Sequence, residues 1–192
     1  MEDPMHSILD FLDTEKESLD YIFTKDLLLY VVIDYYSIAY SDPENVFMEK
    51  SNNSPFAPEV KLAVENFLDA KGDDLHNEYD LDFPYEDSIS NSSHLEKLIC
   101  ITRYFQNKPF DNASFLECLC KCAEYTRLSY MNGISKALHL SLKVICIMLS
   151  GMRESGKITQ DFWSDFQKYC GKYIRRINRR IPIQRKRKYC EI

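Results

Sequence analysis

The sequence predicts an all-α fold, a compact bundle of six or seven helices around a central apolar helix near 134–149. Three observations predict it. Apolar residues recur three or four positions apart along most of the chain, the spacing of one helix face. Helix start and stop residues punctuate that pattern at usable intervals. Turn formers are scarce, with five Gly and seven Pro in 192 residues, too few for the many tight turns of a sandwich or barrel.

The first segment is weak. Ile8, Leu9, Phe11 and Leu12, then Leu19, Tyr21 and Ile22, suggest a helix broken near Thr14. Thr24 is a suitable N-cap with Asp26 in the first turn. It opens an apolar run from Leu27 to Ala39 that Ser41-Asp42-Pro43 stops. Its Val31, Val32 and Ile33 would suit a buried strand, but its length favours a helix.

Ser51 to Pro55 reads as a loop. Pro58 then stands at a first helical position, with Val60, Val64, Phe67 and Leu68 at helical spacing and Gly72 after the end. Residues 69–92 read as an acidic loop. Next, Ser93-x-x-Glu96 has the form of a capping box before Leu95, Leu98 and Ile99, and Asn107-Lys108-Pro109 breaks that helix. Asp111 or Asn112 caps the following one, which runs through Phe115, Leu119 and Cys122 to Asn132-Gly133. From Ile134 to Leu149 the chain is apolar on nearly every face, as expected of a helix at the centre of a core. Gly151 and Gly156 bracket a loop, and Thr159 caps the last helix.

Length fits one helical domain over 1–181 followed by a basic tail, 182–192. Seven Cys without a secretory signal imply a reducing compartment, so the thiols are expected to be free. The nucleus, or nucleus and cytoplasm, is the expected location rather than the secreted space. No apolar run reaches the ~20 residues of a membrane span.

Charge is divided unevenly. Lys168, Lys172, Arg175, Arg176, Arg179, Arg180, Arg185, Lys186, Arg187 and Lys188 fall in the last 27 residues, with Glu191 the only carboxylate there. The other 14 of 24 Lys/Arg and 29 of 30 Asp/Glu give the first 165 residues a formal charge of −15. Such a split bears on partners rather than on fold. The cluster Arg185, Lys186, Arg187, Lys188 lies past Pro182 and has the form of a nuclear-import address. The cations from Lys168 to Arg180 decorate a helix with an apolar stripe at Phe162, Phe166, Tyr169, Tyr173, Ile177 and Ile181. They suit phosphate contacts, an anionic membrane surface or a calmodulin-like groove, or plain solvation.

Within the acidic segment, Leu81, Phe83 and Tyr85 alternate with carboxylates, a composition that suits docking into a partner's groove. Tyr30, Tyr35, Tyr36 and Tyr40 are further candidate contacts. Reaction chemistry finds little support. Cys118-x-Cys120-x-Cys122 has the wrong spacing for a zinc knuckle, and Cys100, Cys118, Cys122 and Cys146 form a metal set only if the fold gathers them. His6, His76, His94 and His139 are scattered, and there is no Gly-rich phosphate loop or nucleophile motif. The sequence therefore predicts a protein-interaction or adaptor subunit rather than an enzyme, with no catalytic residue, cofactor or metal and one or more protein partners. A nucleic-acid-binding module working through the basic helix is the alternative. A viral Bcl-2-like helical host modulator is a third reading, at the level of fold analogy.

Overall fold

The computed structural model describes residues 18–41, 46–47 and 53–180, with the Arg180 side chain excluded. Six α-helices form among them, and none of the described residues lies in a strand. They are α1 (Leu19–Leu29), α2 (Pro58–Asp82), α3 (Asn91–Gln106), α4 (Asn112–Met131), α5 (Ala137–Glu154) and α6 (Phe162–Arg180). The segment before Ser18, and the tail 182–192 with its Arg185–Lys188 cluster, lie outside the described residues.

Helix α1 starts at Leu19, not at Thr24. Ser18 caps it by accepting from the Tyr21 amide at 3.1 Å. Thr24 instead sits inside the helix, where its hydroxyl donates to the Asp20 carbonyl one turn back, at 2.7 Å. After Leu29 the helix widens into a π-turn, Tyr30–Tyr35, and closes with Ser37 in the left-handed region at φ 55°. It therefore stops before Ser41-Asp42-Pro43 is reached.

The largest departure from the sequence reading is α2. It continues through Gly72 to Asp82, so the acidic stretch is helical from 69 to 82 and only residues 83–90 connect it to α3. The reason is the apolar row. Val60, Val64 and Leu68 are followed by buried Leu75 and Tyr79, and by Phe83 at the C-cap. That row carries the period across the glycine. A Cβ at Gly72 would lie 3.4 Å from the Tyr36 hydroxyl, so the glycine marks a close approach rather than a stop.

Ser90, not Ser93, caps α3, and Ser93 at the third helical position returns the bond to the Ser90 amide. Asp111 caps α4 through the Ser114 amide at 2.9 Å. Two helices end in the same way. Gly133, with φ 90°, follows α4. The Gly133 amide donates to Tyr130 O and the Ile134 amide to Ser129 O, each at 3.0 Å. Gly156, with φ 70°, repeats this after α5, with its amide on Arg153 O and that of Lys157 on Met152 O. Both are Schellman motifs, for which glycine is suited by its free access to positive φ. Gly151 lies inside α5, which runs on to Glu154.

The expected apolar helix is present as α5, buried at twelve of its 18 residues. It shares the centre with α4, which buries thirteen of 20 and packs against α1 with its π-turn, α2, α3 and α5. Helix α6 lies along α2. A cluster of rings joins the two ends of the chain: Phe23 stacks on Trp163 at 3.9 Å, and Phe115 meets Phe162 and Phe166 edge-on at 5.1 and 5.0 Å. Such pairs contribute roughly 0.5–1.5 kcal/mol each beyond area burial. Asp20 of α1 accepts both Arg153 of α5, through Nε and Nη2 at 2.6 Å, and Trp163 Nε1 of α6 at 2.8 Å. One carboxylate thus ties three helices.

Candidate interaction surfaces

Helix α2 spends four of its eight carboxylates on contacts with other elements. Glu65 accepts from the Tyr30 hydroxyl, and Asp69 from the Tyr35 hydroxyl at 2.6 Å. Glu78 pairs with Lys121. Asp82 takes both Lys97 and the Tyr125 hydroxyl, each at 2.6 Å. Burial first, and then the bonded carboxylate, raises the pKa of Tyr30, Tyr35 and Tyr125 well above the ordinary phenol value. The tyrosines expected to face a partner are therefore committed inward. Tyr30 is buried, Tyr36 lies on Arg127 with the guanidinium 4.0 Å from its ring, and Tyr40 meets Tyr130 at 5.3 Å. The docking triad also divides. Leu81 is 82% exposed and Tyr85 75%, but Phe83 is buried against Tyr79 with ring centroids 4.8 Å apart. A helix and its C-cap turn separate side chains that an extended loop would have presented together.

The six described cysteines are free thiols, and only Cys100 is exposed. The Cys118 thiol is pushed up by its hydrogen bond to Cys122 and by burial, Cys120 by burial, and Cys170 to about 12 by burial and the Glu59 charge. Thiols held protonated in this way are poor nucleophiles and poor ligands. Among the described residues no group of three or more His, Cys, Asp or Glu is placed to hold a metal ion. No helix among them is long and apolar enough to cross a membrane.

One buried polar network was not foreseen. His94 of α3 is fully buried, and its Nε2 lies 3.2 Å from Ser141 Oγ of α5. Ser141 donates to Ala137 O at 2.8 Å. Thr126 Oγ1 of α4 lies 2.6 Å from both Cys122 O and Ser141 Oγ. With the Ser141 proton on Ala137 O, the serine accepts from His94 Nε2–H, which leaves Nδ1 without a hydrogen-bond partner. Burial lowers the imidazole to about 4, so the ring is neutral near pH 7. The group resembles a nucleophile–base pair in composition only. It is sealed in the core and joins α3, α4 and α5.

Two surfaces remain open. The first is a groove of about 200 Å³ between α3 and α5. These helices run parallel, since His94 meets Ser141 at one end and Gln106 Nε2 donates to Met148 O at the other, at 3.2 Å. Leu95, Ile99, Leu140, Val144 and Ile147 line the groove, with Arg103 and Lys143 beside them and no carboxylate among the lining residues. Ile147 is 44% exposed although α5 is otherwise a core helix. The sequence carried a weak sign of it, because a helix apolar on all faces must show one of them wherever its neighbours stop. A second cavity, of about 240 Å³ between α3 and α4, is lined by Lys97, Lys108 and Lys121 with Glu117. Lys97 and Lys121 are already held by Asp82 and Glu78.

The other open surface is the outer face of α6. Phe162, Trp163, Phe166 and Cys170 are buried on its inner side. Tyr169, Tyr173, Ile174 and Ile177 are half-buried, so the expected stripe is anchored at its start and thinly covered toward its end. Lys168, Lys172, Arg175, Arg176 and Arg179 are all exposed. Lys168 pairs with Asp165 at 2.9 Å, and the other four form no ion pair among the described residues.

Fold and surfaces together define, among the described residues, a helical domain with an apolar groove between α3 and α5 and a cationic face on α6. The chain matches no protein family, no curated protein and no solved structure.

Proposed function

We propose that the chain is a non-enzymatic protein-interaction subunit, an adaptor acting in the nucleus, that holds an acidic amphipathic helix of a partner protein in the groove between α3 and α5. The groove itself carries this reading. It is an apolar trench bounded by two parallel helices, with Ile147 exposed among its lining residues. From Leu140 to Met148 it runs about 12 Å, a little over two turns of a docked helix. Arg103 favours a carboxylate on the occupant, and no carboxylate stands among the lining residues to repel it.

Ile147→Asp is expected to abolish docking while leaving the fold intact, because the side chain is 44% exposed. The measurement is capture from nuclear extract with wild type and variant in parallel, followed by crosslink mapping. Partners that crosslink to α3 and α5 and vanish with the variant support the groove. Partners retained at full yield place docking elsewhere.

Nuclear action rests on the sequence Arg185-Lys186-Arg187-Lys188. Deleting residues 182–192 is expected to shift the protein from nucleus to cytoplasm in imaged cells. An unchanged distribution removes the import role of the cluster.

A further inference from the structure

We infer that the outer face of α6 is a binding surface for the phosphodiester backbone of a nucleic-acid duplex. This inference is independent of the groove and would stand if the groove reading failed.

Lys168, Lys172, Arg175, Arg176 and Arg179 are five exposed cations on one helix. At 3.6 residues per turn they fall within an arc of about 100°, and from first to last they span about 16 Å along the axis. One strand of a duplex carries about five phosphates over that rise. Four of the five cations have no carboxylate neutralising them within the described part of the domain. Elsewhere on this body some lysines meet carboxylates, as Lys97 meets Asp82, Lys121 meets Glu78 and Lys71 meets Asp74, while Lys61 and Lys108 lie over tyrosine rings.

The opposite face of α6 decides between anionic partners. A basic amphipathic helix lies on a membrane by burying its apolar side in lipid. Here Phe162, Trp163, Phe166 and Cys170 bury that side in the protein core. Further along, Tyr173, Ile174 and Ile177 are half-buried, so the fully exposed side of the helix is the cationic one. Cations fixed in a straight row suit a polymer with regular charge spacing. Three of the five are arginines, whose planar guanidinium binds phosphate through two parallel hydrogen bonds.

The test is fluorescence anisotropy of the full chain with a DNA duplex and an RNA duplex of about 20 base pairs, between about 50 and 200 mM salt. Wild type is expected to bind both, and the tighter arm names the natural source. Changing Lys172, Arg175, Arg176 and Arg179 together to Gln keeps good helix formers in place. It should weaken binding to the DNA duplex at the lower salt at least tenfold and reduce the log–log salt slope by about 3.6, at 0.9 per phosphate contact. A charge-preserving variant, with Arg175, Arg176 and Arg179 changed to Lys, should keep the wild-type slope. No binding to either duplex at the lower salt overturns the inference. So does a Gln variant with the wild-type slope, which would move the contact to the tail. Equal displacement of the DNA duplex by a poly-Glu peptide of the same charge would make the face a site for acidic protein and also overturns it.

Discussion

Replacing Arg127 by Met is expected to cost about 3–5 kcal/mol, a large part of the stability of an ordinary domain. Glu124 and Arg127 sit one turn apart on α4. Their side chains are only 1% and 9% exposed, with the guanidinium on the carboxylate at 2.5 and 3.1 Å. Tyr36 of the π-turn covers the pair, with the guanidinium 4.0 Å from its ring centre, and Arg127 Nη1 also reaches Met131 Sδ at 3.0 Å. Burial and then the Glu124 charge raise Tyr36 far above the ordinary phenol range, so it stays protonated. Removing Arg127 leaves Glu124 charged in the core with no cation beside it. Its desolvation, offset in the native pair, then falls on the folded state. The double variant Glu124→Leu/Arg127→Met removes both charges and is expected to recover most of the loss. Urea unfolding of the two single variants and the double completes the cycle. A single variant with the wild-type midpoint would show that the pair carries no such weight.

Acid should destabilise the protein well before its carboxylates titrate. His94 is the cause. Its imidazole falls from 6.5 in the unfolded chain to about 4 in the fold, through burial. Between those values the unfolded chain binds the proton and the folded chain does not, so stability rises with pH. Its contribution is fully present above about pH 6.5 and is lost as the pH falls toward 4. The whole step amounts to about 3 kcal/mol, of which about 2 is gone by roughly pH 5. Asp111 has the depressed value usual for a capping carboxylate, from its bonds to Ser114. Its contribution is lost only as the pH falls through the ordinary carboxylate range and below. His94→Gln should therefore flatten the curve between about pH 6.5 and 5 while leaving the lower limb in place. Unchanged pH dependence in that variant would assign the loss to another group.

Much of the fold was legible because helix periodicity is local. The Asp111 cap, Pro58 at the first turn of α2 and the enclosed α5 all depend on residues within a few positions of one another. The cationic row of α6 was legible for the same reason, since Lys168 to Arg179 follow the helical period whatever packs behind them. The failures share one feature. Gly72 and the carboxylates after it resemble a loop when read as composition. Leu75, Tyr79 and Phe83 outweigh them only because α4 stands opposite and supplies Lys121 and Tyr125 as partners for Glu78 and Asp82. Thr24 resembles a cap until Ser18 takes that role. Tyr30 and Tyr35 resemble contact residues until α2 presents Glu65 and Asp69 to them.

The sequence by itself determined the helical class, most of the helix register, the free thiols of the six described cysteines and the separation of charge between an acidic body and a basic end. Each follows from spacing or composition, which operate along the chain. Only the tertiary structure decided which charges are spent. It consumed Glu65, Asp69, Glu78 and Asp82 of α2 in holding tyrosines and lysines, sealed His94 and the Glu124–Arg127 pair inside, and buried Phe83. It left the α3/α5 groove and the α6 cations facing water. The physical reason is that burial and ion pairing are relations between segments distant in the chain, so no local pattern fixes whether a charge finds a partner or remains free to bind one.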